Sequence, residues 1–171
     1  MKPKKNTVKI SEKKLTLSAL NKPSQSVEEY EKDFFKWTKS QARLLKNQEF
    51  SKLDIVNLIE EIESLGRSEK RALQSYLEVL LMHMLKKKYQ KKADTRSWDL
   101  SIKSSNHKVQ QVLSDNPTLK SKLKDIVTDA YYSARLSAAA ETGLDEKKFP
   151  EECPWSLKEL FPYLEPKYLK D

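Results

Sequence analysis

Few residues of this 171-residue chain could do chemistry: two histidines, one cysteine and the acidic run Glu60-Glu61-Ile62-Glu63. Helical bundles hold di-iron centres with inward-pointing Glu and Glu-x-x-His motifs. No Glu-x-x-His occurs in this sequence. At about 100° per residue, the glutamates flank or oppose the apolar stripe of their helix. Glu63 also precedes Arg67 by four residues, the favourable order for a helical ion pair. We therefore expect a solvated face, with no metal and no other cofactor.

The weak catalytic candidates are Glu63, Arg67 and His83. His83 lies in the apolar segment VLLMHML, a setting typical of a buried neutral imidazole. Serine nucleophile elbows and Walker-type loops require glycines at fixed positions, and the chain has only two glycines. The sequence therefore favours a protein without enzymatic activity. An unrecognised hydrolase or nuclease stays open as a hypothesis, because a bundle can bring Glu63, His83 and either Arg67 or Arg96 together.

The net charge of +8 is unevenly distributed along the chain. The arm Met1–Ser24 carries seven lysines against one glutamate, and the segment His83–Lys124 carries 11 basic against three acidic residues. Within that segment, basic side chains alternate with rings on which bases could stack. The nucleic-acid-binding candidates are Lys86, Lys87, Lys88, Lys91, Lys92, Arg96 and Trp98. The alternative is a solvated helix end, where lysines complement the negative end of the helix dipole.

The elements that position these residues are all predicted to be helical. A capping box at Ser26 and Glu29 predicts a first helix that ends near Asn47. A second helix begins near Asp54 and carries an apolar face up to about Tyr89. Gly66 interrupts this pattern. It either ends a helix or provides a point of close packing inside one long helix, and the sequence does not decide between the two.

The second half of the chain continues in helices. One begins at Ser97, and Asn116-Pro117 is a stop and restart signal. The next helix ends at Gly143, and a short one starts at Ser156 in a second capping box. We therefore predict an all-α fold: an antiparallel bundle of four to six helices with a disordered basic N-terminal arm. Residues 1–25 are the flexible arm, and residues 26–171 form a single helical domain.

Several ordered segments resemble a known bacterial family. They are YEKDFFKWTKSQARLLKN, LDIVNLIEEIESLGRSEKRALQSYLEVLLMHMLK, TRSW, DNP, AAETGL and FPEECPWSL. Together they resemble the domain of unknown function twenty-nine family (DUF 29) from Tyr30 to about Leu160. The resemblance implies an all-helical fold and bacterial cytoplasmic residence, and it implies no activity. The arm before Ser26 lies outside the shared region.

The remaining composition points to a cytoplasmic protein. The single Cys153 cannot close an internal disulfide, and no apolar run approaches the roughly 20 residues of a membrane span. The leading hypothesis is a non-enzymatic protein-interaction module whose partner is a protein, with a homo-oligomer as one form. The alternative is a nucleic-acid-binding protein that uses the arm and the stretch from Lys86 to Arg96. We expect no membrane partner.

Overall fold

The computed structural model describes residues 25–90 and 96–169, with side chains from residue 29 onward. Within these ranges every regular element is helical, so the predicted all-α fold is confirmed. The six α-helices are α1 Gln25–Lys32, α2 Phe34–Lys46, α3 Ile55–Tyr89, α4 Arg96–Asp115, α5 Leu123–Thr142 and α6 Leu157–Leu160. None of the described helices is long and apolar enough to cross a membrane. Residues 1–24 of the predicted arm lie outside the described residues, whereas Gln25 is the first residue of α1.

The described residues divide into two compact units, the first up to Glu63 and the second from Ser64 onward. The first unit contains α1, α2 and the start of α3, and the second contains the rest of α3, α4, α5 and α6. The expected single domain over residues 26–171 stays a prediction.

A break at Asp33 separates the first two helices. The aromatic stripe predicts one helix from Ser26 to about Asn47, but the chain forms α1 and α2 instead. The Asp33 carboxylate accepts a hydrogen bond from the Lys36 backbone N–H at 2.9 Å. Aspartate is a strong N-cap because it satisfies a free N–H of the first turn. The Ser26 side chain of the predicted capping box lies outside the described side chains.

Gly66 lies inside α3, which runs through it without ending. Of the two alternatives, the continuous long helix is therefore the correct one. A Cβ added at Gly66 would meet no other atom within 4 Å among the described residues. Close packing within this chain therefore does not explain the glycine, although glycine costs roughly 1 kcal/mol relative to alanine inside a helix.

In the second unit, α4 runs antiparallel to α3. Near the C-terminal end of α3, Lys87 Nζ lies 2.5 Å from a carboxylate oxygen of Asp99, in the first turn of α4. Asn116, directly after α4, donates a hydrogen bond to Glu69 at 3.1 Å, near the middle of α3. From the first contact to the second, the position moves back along α3, from Lys87 to Glu69, and forward along α4, from Asp99 to Asn116. The two helices are therefore antiparallel.

By contrast, α5 runs parallel to α3. Ser137 donates a hydrogen bond to Glu78 at 3.2 Å. Further along both helices, Lys86 Nζ lies 2.5 Å from a carboxylate oxygen of Glu141. The second unit therefore has an up-down-up arrangement of three long helices.

The core of the second unit is apolar and draws on these helices and the C-terminal segment. Its largest fully buried side chains are Leu73, Leu77, Leu81, Leu85, Val109, Leu113, Leu123, Ile126 and Phe161. Tyr89 packs edge-on against Phe149, with ring centroids 5.3 Å apart. The C-terminal segment thus belongs to this core.

The predicted helix signals of the second unit hold, with one difference. Gly143 ends α5 in the left-handed conformation, with φ 68°. Ser156 and Glu159 form the reciprocal capping box of α6. Pro117 restarts the chain as a 3₁₀-helix over Pro117–Lys122, and the α-helical form begins only at Leu123.

Candidate functional site

Lys86 occupies an interior position at the end of α3. Its residue exposure is 7%, and its Nζ lies 2.5 Å from Glu141 and 4.9 Å from the centroid of the Trp98 ring. Trp98 is itself buried, at 9% exposure. An ammonium group over an indole face gains a cation–π attraction, and the carboxylate compensates for its lost hydration. Lys86 and Trp98 thus form a paired cluster inside the fold.

The other basic candidates lie at the surface or outside the described residues. Lys87 is paired with Asp99. Lys88 is exposed, and its Nζ lies 5.8 Å from the Tyr89 ring centroid and 5.4 Å from that of Trp155. Arg96 is exposed at the start of α4. Lys91 and Lys92 lie outside the residues that the structure describes. Their role in nucleic-acid binding stays a prediction.

His83 is half-buried next to the Lys86 cluster. Burial lowers the pKa of its imidazole below the ordinary value of 6.5, and the nearby Lys86 ammonium lowers it further, whereas Glu141 acts in the opposite direction. Its Nδ1 is buried and has no hydrogen-bond partner in the part of the chain that the structure describes. These surroundings favour the neutral imidazole.

The structure separates two of the three catalytic candidates. Arg67 and His83 both lie on α3, sixteen residues apart, which corresponds to about 24 Å of helix at 1.5 Å per residue. Glu63 and Arg67 are exposed. A catalytic site that needs both Arg67 and His83 therefore does not form on this helix.

The acidic run on α3 makes a contact with α1. Glu61 accepts a hydrogen bond from the Tyr30 hydroxyl at 2.6 Å, and this bond raises the pKa of Tyr30 to about 12. Glu60 is exposed. Among the described residues, no group of three or more histidines, cysteines or carboxylates is placed to hold a metal ion.

A buried polar network in the first unit escaped the sequence interpretation. Asp54 is 7% exposed and accepts a hydrogen bond from the Trp37 indole N–H at 3.2 Å. The Asp54 backbone N–H donates in turn to the Gln41 side-chain oxygen at 2.9 Å. Gln41 in the predicted aromatic stripe was the available signal, because a polar residue on a buried helix face must find a hydrogen-bond partner.

Two neighbouring cavities in the second unit were also not predicted. The larger, about 800 Å³, lies beside Cys153, Tyr132 and Trp155. The smaller, about 410 Å³, includes three lysines, Lys120, Lys124 and Lys167. These lysines are far apart in the sequence, so their spacing gave no signal. Burial raises the pKa of the Cys153 thiol, which disfavours a reactive thiolate.

A protein family described as domain of unknown function DUF29 matches residues 29–168. The chain belongs to the DUF29 family. The match begins after the basic arm, so the arm of this DUF29 protein lies outside the family domain. No curated protein and no solved structure matches the chain.

Proposed function

We propose that this DUF29 protein is a non-enzymatic protein-interaction module that self-associates through α3. The supporting observation is the exposure of aliphatic side chains on this helix: Ile59 is 53% exposed, Ile62 66% and Leu65 68%. Full burial of such a side chain is worth roughly 1.5–3 kcal/mol. Helices of folded domains normally turn their apolar stripe towards a core, so a second helix that covers this stripe would gain free energy.

The spacing on α3 matches that of paired helices. Ile55, Ile59, Ile62 and Gly66 follow the alternating four- and three-residue spacing of a coiled-coil seam. The seam ends there, because Leu73 lies in the core of the second unit. Gly66 has open space where a Cβ would lie. A glycine in the seam allows a second helix to approach closely, which is a reason to tolerate its cost inside a helix.

Charge favours a second copy in the antiparallel direction. At about 100° per residue, Glu63 and Lys70 fall on the same flank of the seam, at similar distances from Gly66. Both are exposed. In an antiparallel pair each flank meets the same flank of the other copy in reverse order. The acidic start of one flank would then lie against the basic end of the other.

Light scattering after size exclusion, over a range of protein concentrations, tests this proposal. The chain has a mass of 20.0 kDa, and we expect the measured mass to rise towards twice this value with concentration. The double variant Ile59→Glu/Ile62→Glu should remain monomeric. Ser64→Glu/Ser68→Glu is the matched control, because it adds the same charge on the opposite face of α3 and should dimerise normally. A monomeric wild-type chain at the highest concentration would overturn the proposal.

Charge reversal tests the direction of pairing. Lys70→Glu should weaken self-association, because it places acidic flanks against each other. Mixing this variant with Glu63→Lys should restore dimers, since each copy then has one uniform charge of opposite sign. Failure of the mixture to pair would contradict the antiparallel arrangement.

We retain nucleic-acid binding as a second proposal because of Lys88. Its exposed ammonium lies near the rings of Tyr89 and Trp155, which combines a phosphate-binding charge with aromatic surface. Filter binding at two salt concentrations tests it, because phosphate contacts weaken steeply as salt rises. Affinity that survives both removal of Met1–Ser24 and neutralisation of Lys87, Lys88, Lys91 and Lys92 would contradict the proposal.

A further inference from the structure

Three lysines of the second unit line one small cavity at the start of α5. The cavity has a volume of about 410 Å³. Lys120 and Lys124 come from neighbouring turns of the chain, whereas Lys167 comes from the C-terminal 3₁₀-helix Pro166–Tyr168. The complete lining is Lys120, Ser121, Lys124, Leu157, Lys167 and Tyr168.

The Tyr168 ring lies near the ammonium groups of two of these lysines. Lys120 Nζ lies 5.7 Å and Lys167 Nζ 4.8 Å from the centroid of the Tyr168 ring. Cation–π contacts of this kind are worth roughly 0.5–1 kcal/mol at exposed sites. Tyr168 thus brings together charges from two distant parts of the sequence.

The charge of the cavity is only partly balanced. Lys167 pairs with Glu165 at 2.9 Å, and the Lys167 ammonium is the main cause that lowers the pKa of Glu165, with a smaller contribution from Lys120. The residues that line the cavity include three lysines and no carboxylate, so positive charge is in excess there. Lysine is a common ligand of phosphate groups, which it binds as a compact point charge.

The larger cavity adjoins this one, because Lys124 and Leu157 line both. It has a volume of about 800 Å³, and its walls include the rings of Tyr132 and Trp155. Glu151 and Glu152 also line it. A phosphate is therefore favoured at the lysine cavity and disfavoured beside these two glutamates, while the rings offer contact area to an uncharged part of a ligand.

We propose that the two cavities form a binding site for a small phosphorylated molecule. Its phosphate lies among Lys120, Lys124 and Lys167, and its apolar or aromatic part lies in the larger cavity against Tyr132. This site is independent of the self-association proposed for α3.

Calorimetric titration of the full-length protein with inorganic phosphate and with adenosine monophosphate tests the site. We expect both to bind, and the nucleotide to bind about tenfold more tightly or better. Lys120→Gln/Lys124→Gln/Lys167→Gln should weaken both ligands by about tenfold or more. The matched control is Lys103→Gln/Lys108→Gln/Lys148→Gln, which removes the same charge. It includes Lys108, whose Nζ lies 5.1 Å from the Tyr76 ring centroid outside these cavities.

The outcomes separate the two parts of the proposal. If neither probe binds at millimolar concentrations, or if both triple variants lose affinity equally, the lysine cavity is not a specific site and the proposal is wrong. Tyr132→Ala should lower only the affinity for the nucleotide, because Tyr132 is 62% exposed and lines the larger cavity. Equal affinity for phosphate and nucleotide in the wild-type protein would overturn the placement of the uncharged part.

Discussion

The two compact units bury different kinds of side chain. In residues 64–171 the long helices and the C-terminal segment enclose leucines, valines and aromatic rings. In the described part of residues 1–63, the buried side chains are Trp37, Gln41 and Asp54, which form a hydrogen-bonded network. The large apolar residues Phe35, Ile59 and Ile62 remain more than half exposed there.

Under the proposed function, this difference separates stability from recognition. The apolar core of the second unit gains free energy by removing surface from water. The first unit instead depends on polar contacts that must be kept intact, because a buried donor without an acceptor is costly. Its exposed aliphatic residues on α3 are the ones on which the proposed self-association depends.

The largest expected contrast in stability is between substitutions at Leu77, which is buried in the core, and at Ile62, which is exposed. Leu77→Ala should lower the free energy of unfolding by about 2–5 kcal/mol, because it leaves a cavity in the core. Ile62→Ala should change it by no more than about 0.5 kcal/mol, as exposed substitutions usually do. Urea denaturation at low protein concentration measures both. Similar losses would show that Ile62 is covered within the monomer.

The polar network predicts the next largest effect. Asp54→Ala should cost about 1–3 kcal/mol, because it leaves the Trp37 indole N–H buried without its acceptor. Asp54→Asn keeps one oxygen that can accept from both the Trp37 N–H and the Asn57 side chain. It loses only the longer bond from the Asn57 backbone N–H, at 3.4 Å, and should cost less. Amide hydrogen exchange would locate the loss in α2 and the first turns of α3. Equal effects of the two variants would argue against the hydrogen bond to Trp37.

In the Lys86 cluster, replacing the Glu141 carboxylate and replacing the Lys86 ammonium should have unequal effects on stability. Glu141→Gln should destabilise by about 1–3 kcal/mol, because a buried ammonium loses its carboxylate. Lys86→Met should cost less, since an apolar side chain of similar length fills the buried position and the half-exposed Glu141 carboxylate returns to water. Chemical denaturation at neutral pH compares the variants. A larger loss for Lys86→Met would show that the cation–π contact with Trp98 dominates.

The smallest expected effect is the pH dependence from His83. Its folded-state pKa is lowered from 6.5, mainly by burial, so the unfolded chain takes up the proton more readily. The contribution of His83 to stability is therefore fully present above its unfolded pKa and is lost as the pH falls from about 6.5 towards the lower folded-state pKa. His83→Gln should flatten the fall of the thermal midpoint in this range. An unchanged pH profile would contradict the neutral, half-buried state of His83.

Local signals predicted much of the fold. Gly143 and the Ser156 capping box act through backbone groups a few residues away, so their positions could be recognised without a fold. The break at Asp33 was missed because the aromatic stripe continues across it. Lys86 was expected at a surface, yet it is buried, because the partners that cover it come from α4 and α5. Its contacts depend on how distant helices pack.

The sequence alone determined the all-α class, most helix boundaries, the DUF29 resemblance and the scarcity of catalytic residues, because each depends on composition or on neighbours along the chain. Only the tertiary structure decided which apolar faces are covered, that Gly66 lies within a continuous helix, and that Lys120, Lys124 and Lys167 share a cavity. These features depend on contacts between residues far apart in the sequence, which helical periodicity does not specify.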